Sequence, residues 1–130
     1  MLQLNRGEIC GLIFRRGWMK LWVDDVRSAP IGYLWAKSVK EAMEYIELYE
    51  YELRVKIPVT IEEYDKLSIE LIDLDHDAGN YASDGGDYIR LLDWLEETGR
   101  NYPIHIHSMN PVGVQNMRAI IQRNGWVEVK

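Results

Sequence analysis

Short apolar runs that end in acidic residues or histidines alternate along this chain with stretches whose apolar residues recur every three or four positions. Lys20–Val23 is apolar, β-prone and closed by Asp24-Asp25, which predicts a buried strand with carboxylates at its carboxyl end. Val26–Gly32 contains Ser28, Pro30 and Gly32 and reads as a loop, and Tyr33–Ala36 as a second strand. Ser38 followed by Glu41 has capping-box spacing. Val39, Ala42, Met43, Ile46 and Leu48 then continue a helical face to about Tyr49. Leu53, Val55, Ile57 and Val59 alternate with polar residues or Pro58, which predicts an extended edge segment, and Thr60 with Glu63 could open a short helix.

The second half has the same rhythm. Ile69–Leu74 predicts a central strand running into the loop Asp75-His76-Asp77-Ala78-Gly79, with a turn-rich stretch to Gly86. Tyr88, Ile89, Leu91, Leu92, Trp94 and Leu95 mark a helix ending near Gly99. Pro103–His107 is another strand. Asn110 and Pro111 suit the N-cap and first position of a helix whose inner face is Val114, Met117, Ile120 and Ile121. Gly125 ends it, and Trp126–Val129 is a last strand. This alternation predicts a doubly wound α/β fold, a mostly parallel five-stranded sheet with helices on both faces.

Residues 1–18 lack a clear hydrophobic period. Arg15-Arg16-Gly17-Trp18-Met19 can be encoded by a purine-rich stretch just before an ATG, resembling a bacterial ribosome-binding site read as protein. The expectation is that 1–18 is a doubtful extension and that the domain is 19–130. The chain of 130 residues fits one core. No apolar run is long enough to span a bilayer, Arg15 and Arg16 interrupt the first apolar stretch, and Cys10 is the single cysteine. These features suggest a cytoplasmic protein without a disulfide framework or cysteine-based zinc site. The net charge of -6 argues against strong double-stranded DNA binding but leaves room for a small phosphorylated ligand held through a metal. Oligomeric state is not legible.

In open parallel sheets ligands bind outside the carboxyl ends of the strands. Three predicted strand ends carry polar clusters: Asp24 and Asp25; Asp75, His76 and Asp77; and His107, Ser108 and Asn110, with His105 two residues back on the same side. Convergent carboxylates repel unless compensated, and Mg²⁺ or Mn²⁺ on Asp24, Asp25 and Asp75 fits. His107 at a strand end suits a general acid or base, and His76 is a second candidate. Ser108 and the helix N-terminus at Asn110 suit phosphate oxygens, although plain capping also explains Asn110. His105 reads as structural. Asp73 faces either the acidic cluster or a basic partner.

The runs Lys20-Leu-Trp-Val-Asp-Asp-Val-Arg27, Leu74-Asp-His-Asp77 and Ile104-His-Ile-His-Ser-Met-Asn-Pro-Val-Gly113 together resemble the cyclic-phosphate-processing receiver domains, over essentially Met19–Gly125. The resemblance implies a receiver/flavodoxin-like fold with the first helix replaced by the Val26–Gly32 loop and no fifth helix. It matches Asp24 and Asp25 to the metal-binding acidic pair, Asp75 to the phosphoacceptor and Ser108 to the hydroxyl residue ending the fourth strand. No Lys-Pro ends the fifth strand; Lys130 stands nearest that place. Residues 49–66 exceed the family's connection and read as an insertion. The expected function is a metal-assisted hydrolase processing a cyclic phosphate of a nucleotide or RNA end. The alternatives are a non-catalytic module binding a cyclic nucleotide or other phosphorylated ligand and, least favoured, a phosphoacceptor receiver.

Overall fold

A computed structural model describes residues 19–56 and 69–130. Four parallel strands, β1 (Met19–Val23), β2 (Tyr33–Ala36), β3 (Ile69–Leu74) and β4 (Ile104–Ile106), form one sheet in the order β2-β1-β3-β4. Three helices accompany them: α1 (Val39–Lys56), α2 (Ile89–Glu97) and α3 (Pro111–Asn124), with a 3-10 turn at Gly79–Ser83. The expected receiver-like parallel sheet is present.

The fifth strand differs from expectation. Trp126–Val129 makes a single parallel bridge, Ile104 with Glu128, fixed by Ile104 N–H to the Val127 carbonyl (3.0 Å) and Val129 N–H to the Ile104 carbonyl (2.7 Å). β4 is three residues long and its alternate backbone groups face β3, so a longer ladder has little to build on.

The register sets the core. Leu21 and Val23 of β1 lie beside Leu34 and Ala36 of β2 and beside Ile72 and Leu74 of β3; Ile72 lies beside Ile104. All seven are buried, against Ala42, Ile46, Tyr49, Leu91, Leu92, Leu95, Met117 and Ile121 from the helices. The crossovers β2–α1–β3 and β3–α2–β4 advance in the same direction across the sheet. Right-handed connections therefore put the helices on one face; α2 packs against both α1 and α3. Among the described residues all three helices lie on that face. The loop between β1 and β2 replaces the helix that would otherwise start the opposite layer, as the sequence predicts. Lys20, Trp22, Tyr33, Trp35, Leu71 and His105 take the other parity and are half-buried.

Local signals account for most helix ends. Ser38 Oγ accepts the Glu41 N–H (3.0 Å), and Glu41 Oε1 accepts the Lys37 N–H (2.9 Å), a capping box shifted by one position on its return bond. Asn110 Oδ1 accepts the Gly113 N–H (3.0 Å), Pro111 opens α3, and Gly125 closes it with φ of 67°.

α1 corrects the sequence reading. It does not stop near Tyr49, and 53–56 is helical rather than extended. Tyr45, Ile46, Tyr49 and Glu52 keep one buried face at helical spacing, which outweighs the two-residue alternation that begins at Leu53. Glu50 is also held from outside the helix, accepting Arg100 Nε (3.0 Å) and Nη2 (2.8 Å) and the Tyr102 hydroxyl. The first part of the 49–66 segment is thus helix. Residues 57–66, with Ile57, Val59, Thr60 and Glu63, lie outside the described residues, as do 1–18. No described helix is long and apolar enough to cross a membrane.

Leu74 on the central strand is fully buried. Leu74→Ala should destabilise the domain by roughly 2–5 kcal/mol in urea unfolding. Val112→Ala, at a position 67% exposed, should change stability by less than about 0.5 kcal/mol.

Candidate active site

β1, β3 and β4 end side by side, and backbone bonds carry the alignment past the last strand residue. Asp24 N–H donates to the Ala36 carbonyl, Asp75 N–H to the Val23 carbonyl and His107 N–H to the Leu74 carbonyl. The first residue after each strand is therefore placed as firmly as a strand residue.

Asp24, Asp25 and Asp75 come together, each offering a carboxylate oxygen within 4.8 Å of the others. Asp24 is fully buried. Its Oδ1 accepts the N–H groups of Val26 (2.9 Å) and Arg27 (2.8 Å), and its Oδ2 meets His107 Nε2 (2.8 Å). Burial works against its charge, but these bonds prevail and hold the carboxyl below the usual carboxylate range. Asp25 goes the other way. Burial, and the negative charge of Asp24 and Asp75, push its pKa up. Gly79, with φ of +55°, backs this carboxylate so closely that a Cβ there would lie 2.4 Å from Asp25 Oδ2.

This donor set fits a hard divalent cation. Carboxylate oxygens are what Mg²⁺ or Mn²⁺ takes, and a cation would relieve the repulsion of Asp24 and Asp75 on Asp25. Both Asp24 oxygens already accept hydrogen bonds, whereas Asp75 has one oxygen engaged, its Oδ1 accepting the His76 N–H (2.7 Å), so Asp25 and Asp75 are the freer ligands.

His107 faces this cluster from β4, but without a spare nitrogen. Nδ1 meets Asp73 Oδ1 at 2.6 Å and Nε2 meets Asp24. Its ring stacks on Trp22, centroids 3.8 Å apart and planes within 5°, and Arg27 Nη1 donates to its carbonyl (3.0 Å). Burial opposes its protonation, but the carboxylates of Asp73 and Asp24 outweigh it and raise its pKa. His105 Nδ1 shares Asp73 Oδ1 (2.8 Å), so Asp73 bonds the histidine pair rather than joining the acidic cluster. β3 and β4 pair Asp73 with His105 directly.

His76 lies on the other side. Its Nδ1 meets Asp77 Oδ1 at 2.8 Å, and its Nε2 has no partner among the described residues. The first turn of α3 packs on this ring: a Cβ at Gly113 would come within 2.5 Å of it. His76, Asp77 and Asp87 also form a group with one ligand atom each within 4.8 Å, although Asp87 Oδ1 accepts the Ala78 N–H. Ser108 Oγ accepts the Asn110 N–H (3.1 Å) and Asn110 caps α3, so both are engaged in the turn rather than aimed freely at a ligand.

A model of the cyclic-phosphate processing receiver domain matches residues 19–123. The chain belongs to this family. No curated protein and no solved structure gives a significant match. In this receiver domain the acidic pair and Asp75 lie where the resemblance predicts. Trp22, Arg27 and the two hydrogen bonds of Asp73 to the histidines were not legible as site features; the shared parity of Asp73, Asp75, His105 and His107 was the available signal.

The histidine bridge has a pH consequence. The folded pKa of His107 lies above its unfolded value, so its stabilisation is complete below the unfolded pKa and is lost as pH rises through the folded pKa. Urea midpoints measured in EDTA should fall as pH is raised from 6 to 9 in the wild type. His107→Gln should be less stable at pH 6 and should lack most of this decline.

Proposed function

We propose that this receiver domain is a metal-assisted phosphodiesterase that opens a cyclic phosphate of a nucleotide or RNA end. The observation that carries the reading is the convergence of Asp24, Asp25 and Asp75 from two strand ends, with Asp25 under repulsion from the other two. A divalent cation there would supply charge stabilisation for the phosphoryl oxygens. Asp25 and Asp75 would bind it, and Asp24, pinned by His107, would complete the site.

The histidine geometry divides the remaining work. His107 has both nitrogens occupied, so its part is positioning: it keeps Asp24 ionised and fixed. His76 has an Asp77 partner on Nδ1, which orients the ring, and an Nε2 without a partner among the described residues. In the proposed hydrolysis, His76 Nε2 takes a proton from the attacking water as the new P–O bond forms. It returns that proton to the leaving ring oxygen as the old P–O bond breaks. One phosphomonoester and one free hydroxyl result. The positive end of the α3 dipole would favour the anion from the other side.

Phosphorus NMR with Mg²⁺ or Mn²⁺ and 2′,3′-cyclic nucleotides should show a new phosphomonoester signal. Asp75→Asn should abolish it with folding intact, and His76→Ala should slow it about 100-fold or more. No product from any 2′,3′-cyclic nucleotide or cyclic-phosphate-ended RNA would overturn catalysis. Ligand-dependent line shifts without product would then favour the binding module.

A further inference from the structure

This inference rests on the cyclic-phosphate reading and concerns the part of the substrate that the acidic cluster does not touch. A phosphate beside three carboxylates gains from protein cations in addition to the proposed divalent ion; Arg27 Nη1 lies 3.7 Å from Asp24 Oδ2 on one side, and the lysine that ends the fifth strand in ordinary receivers has no clear counterpart here. A lysine does stand at the same sheet edge. Lys37 follows Ala36, the last residue of β2, whose carbonyl accepts the Asp24 N–H. The Lys37 carbonyl accepts the buried Tyr88 hydroxyl (2.7 Å), and that hydroxyl's pKa is pushed far up by burial and by the charges of Asp25, Asp24 and Asp75. The Lys37 backbone is thus bonded to a hydroxyl that lies near the cluster.

The Lys37 ammonium is held without being consumed. It lies 4.8 Å from the ring centroid of Trp35 and 5.8 Å from that of Tyr81, within the range of cation–π attraction. Among the described residues it makes no ion pair within 4.0 Å of a carboxylate, although its charge acts on Glu41. Trp35 is itself tied to the site, since its Nε1 donates to the Asp24 carbonyl (2.8 Å). Tyr81 comes from the turn whose first residue, Gly79, backs Asp25, and it is 37% exposed. An aromatic ring with open surface beside a phosphate site is what a nucleobase stacks on.

We propose that Lys37, seated between Trp35 and Tyr81, is the phosphate-binding cation of this site, and that Tyr81 is the platform for the base of a nucleoside 2′,3′-cyclic phosphate. The preferred substrate then carries a base, as a free cyclic nucleotide or the terminal residue of an RNA, and a baseless sugar cyclic phosphate is a poor one.

The test compares kcat/KM for adenosine 2′,3′-cyclic phosphate and for methyl ribofuranoside 2,3-cyclic phosphate with Mg²⁺. The wild type should favour the nucleoside about tenfold, Tyr81→Ala should bring the two substrates within about twofold, and Tyr81→Phe should keep the preference. Lys37→Ala should lower both values about tenfold, with Lys37→Arg recovering most of the loss. A Tyr81→Ala protein that keeps the full preference, or a Lys37→Ala protein unchanged on both substrates, would overturn the inference and leave the phosphodiesterase standing. Absence of product from both substrates and from every cyclic-phosphate-ended RNA with the wild type would overturn the phosphodiesterase reading and the inference together.

Discussion

The imidazole of His107, fixed between Asp24 and Asp73, is the interaction on which the site depends. Asp24 is fully buried at a strand end, where an ionised carboxylate is costly unless its lone pairs are met. Two backbone N–H groups meet one oxygen and His107 meets the other. With Asp24 fixed as an anion, Asp25 is the carboxylate that bears the remaining repulsion, in a place that the missing side chain of Gly79 leaves open. The same bridge joins β1, β3 and β4 at the edge where ligands bind in open parallel sheets. The ionic network and the fold therefore support each other: parallel pairing sets the aspartates in place, and the histidine makes their burial tolerable.

The one-sided helix layer gives this network its surroundings. Because the β1–β2 connection is a loop, Trp22 and Trp35 occupy the sheet face away from the described helices, and both are tied to the site. Trp22 stacks on His107 and donates to the Arg27 carbonyl, while Trp35 donates to the Asp24 carbonyl. The departure from ordinary receivers is thus coordinated. The missing helix, the added histidines and the aromatic residues belong to one arrangement, and membership of the cyclic-phosphate processing family is consistent with it.

Much of this was legible in the sequence because the deciding signals are local. The apolar runs at Lys20–Val23 and Ile69–Leu74, the capping pairs Ser38–Glu41 and Asn110–Pro111, and Gly125 all act within a few residues. Asp24, Asp25 and Asp75 follow from the rule that chemistry gathers at strand ends. The misreadings involve longer-range partners. The extension of α1 past Tyr49 depends on burial of Glu52 and on Arg100, fifty residues beyond Glu50. The fifth strand shrinks to one bridge because it depends on a partner, β4, that is itself three residues long. His107 reads as a free acid or base until the register brings Asp73 and Asp24 to its two nitrogens.

The central claim is that Asp24, Asp25 and Asp75 form a single cation site organised by His107. Paramagnetic broadening of backbone amide NMR signals by substoichiometric Mn²⁺ tests it most directly. The account predicts that the amides of Asp25, Asp75 and Gly79 broaden first, and that excess Mg²⁺ restores them. Broadening centred on Asp77 and Asp87 instead, or spread evenly over exposed acidic side chains, would contradict it.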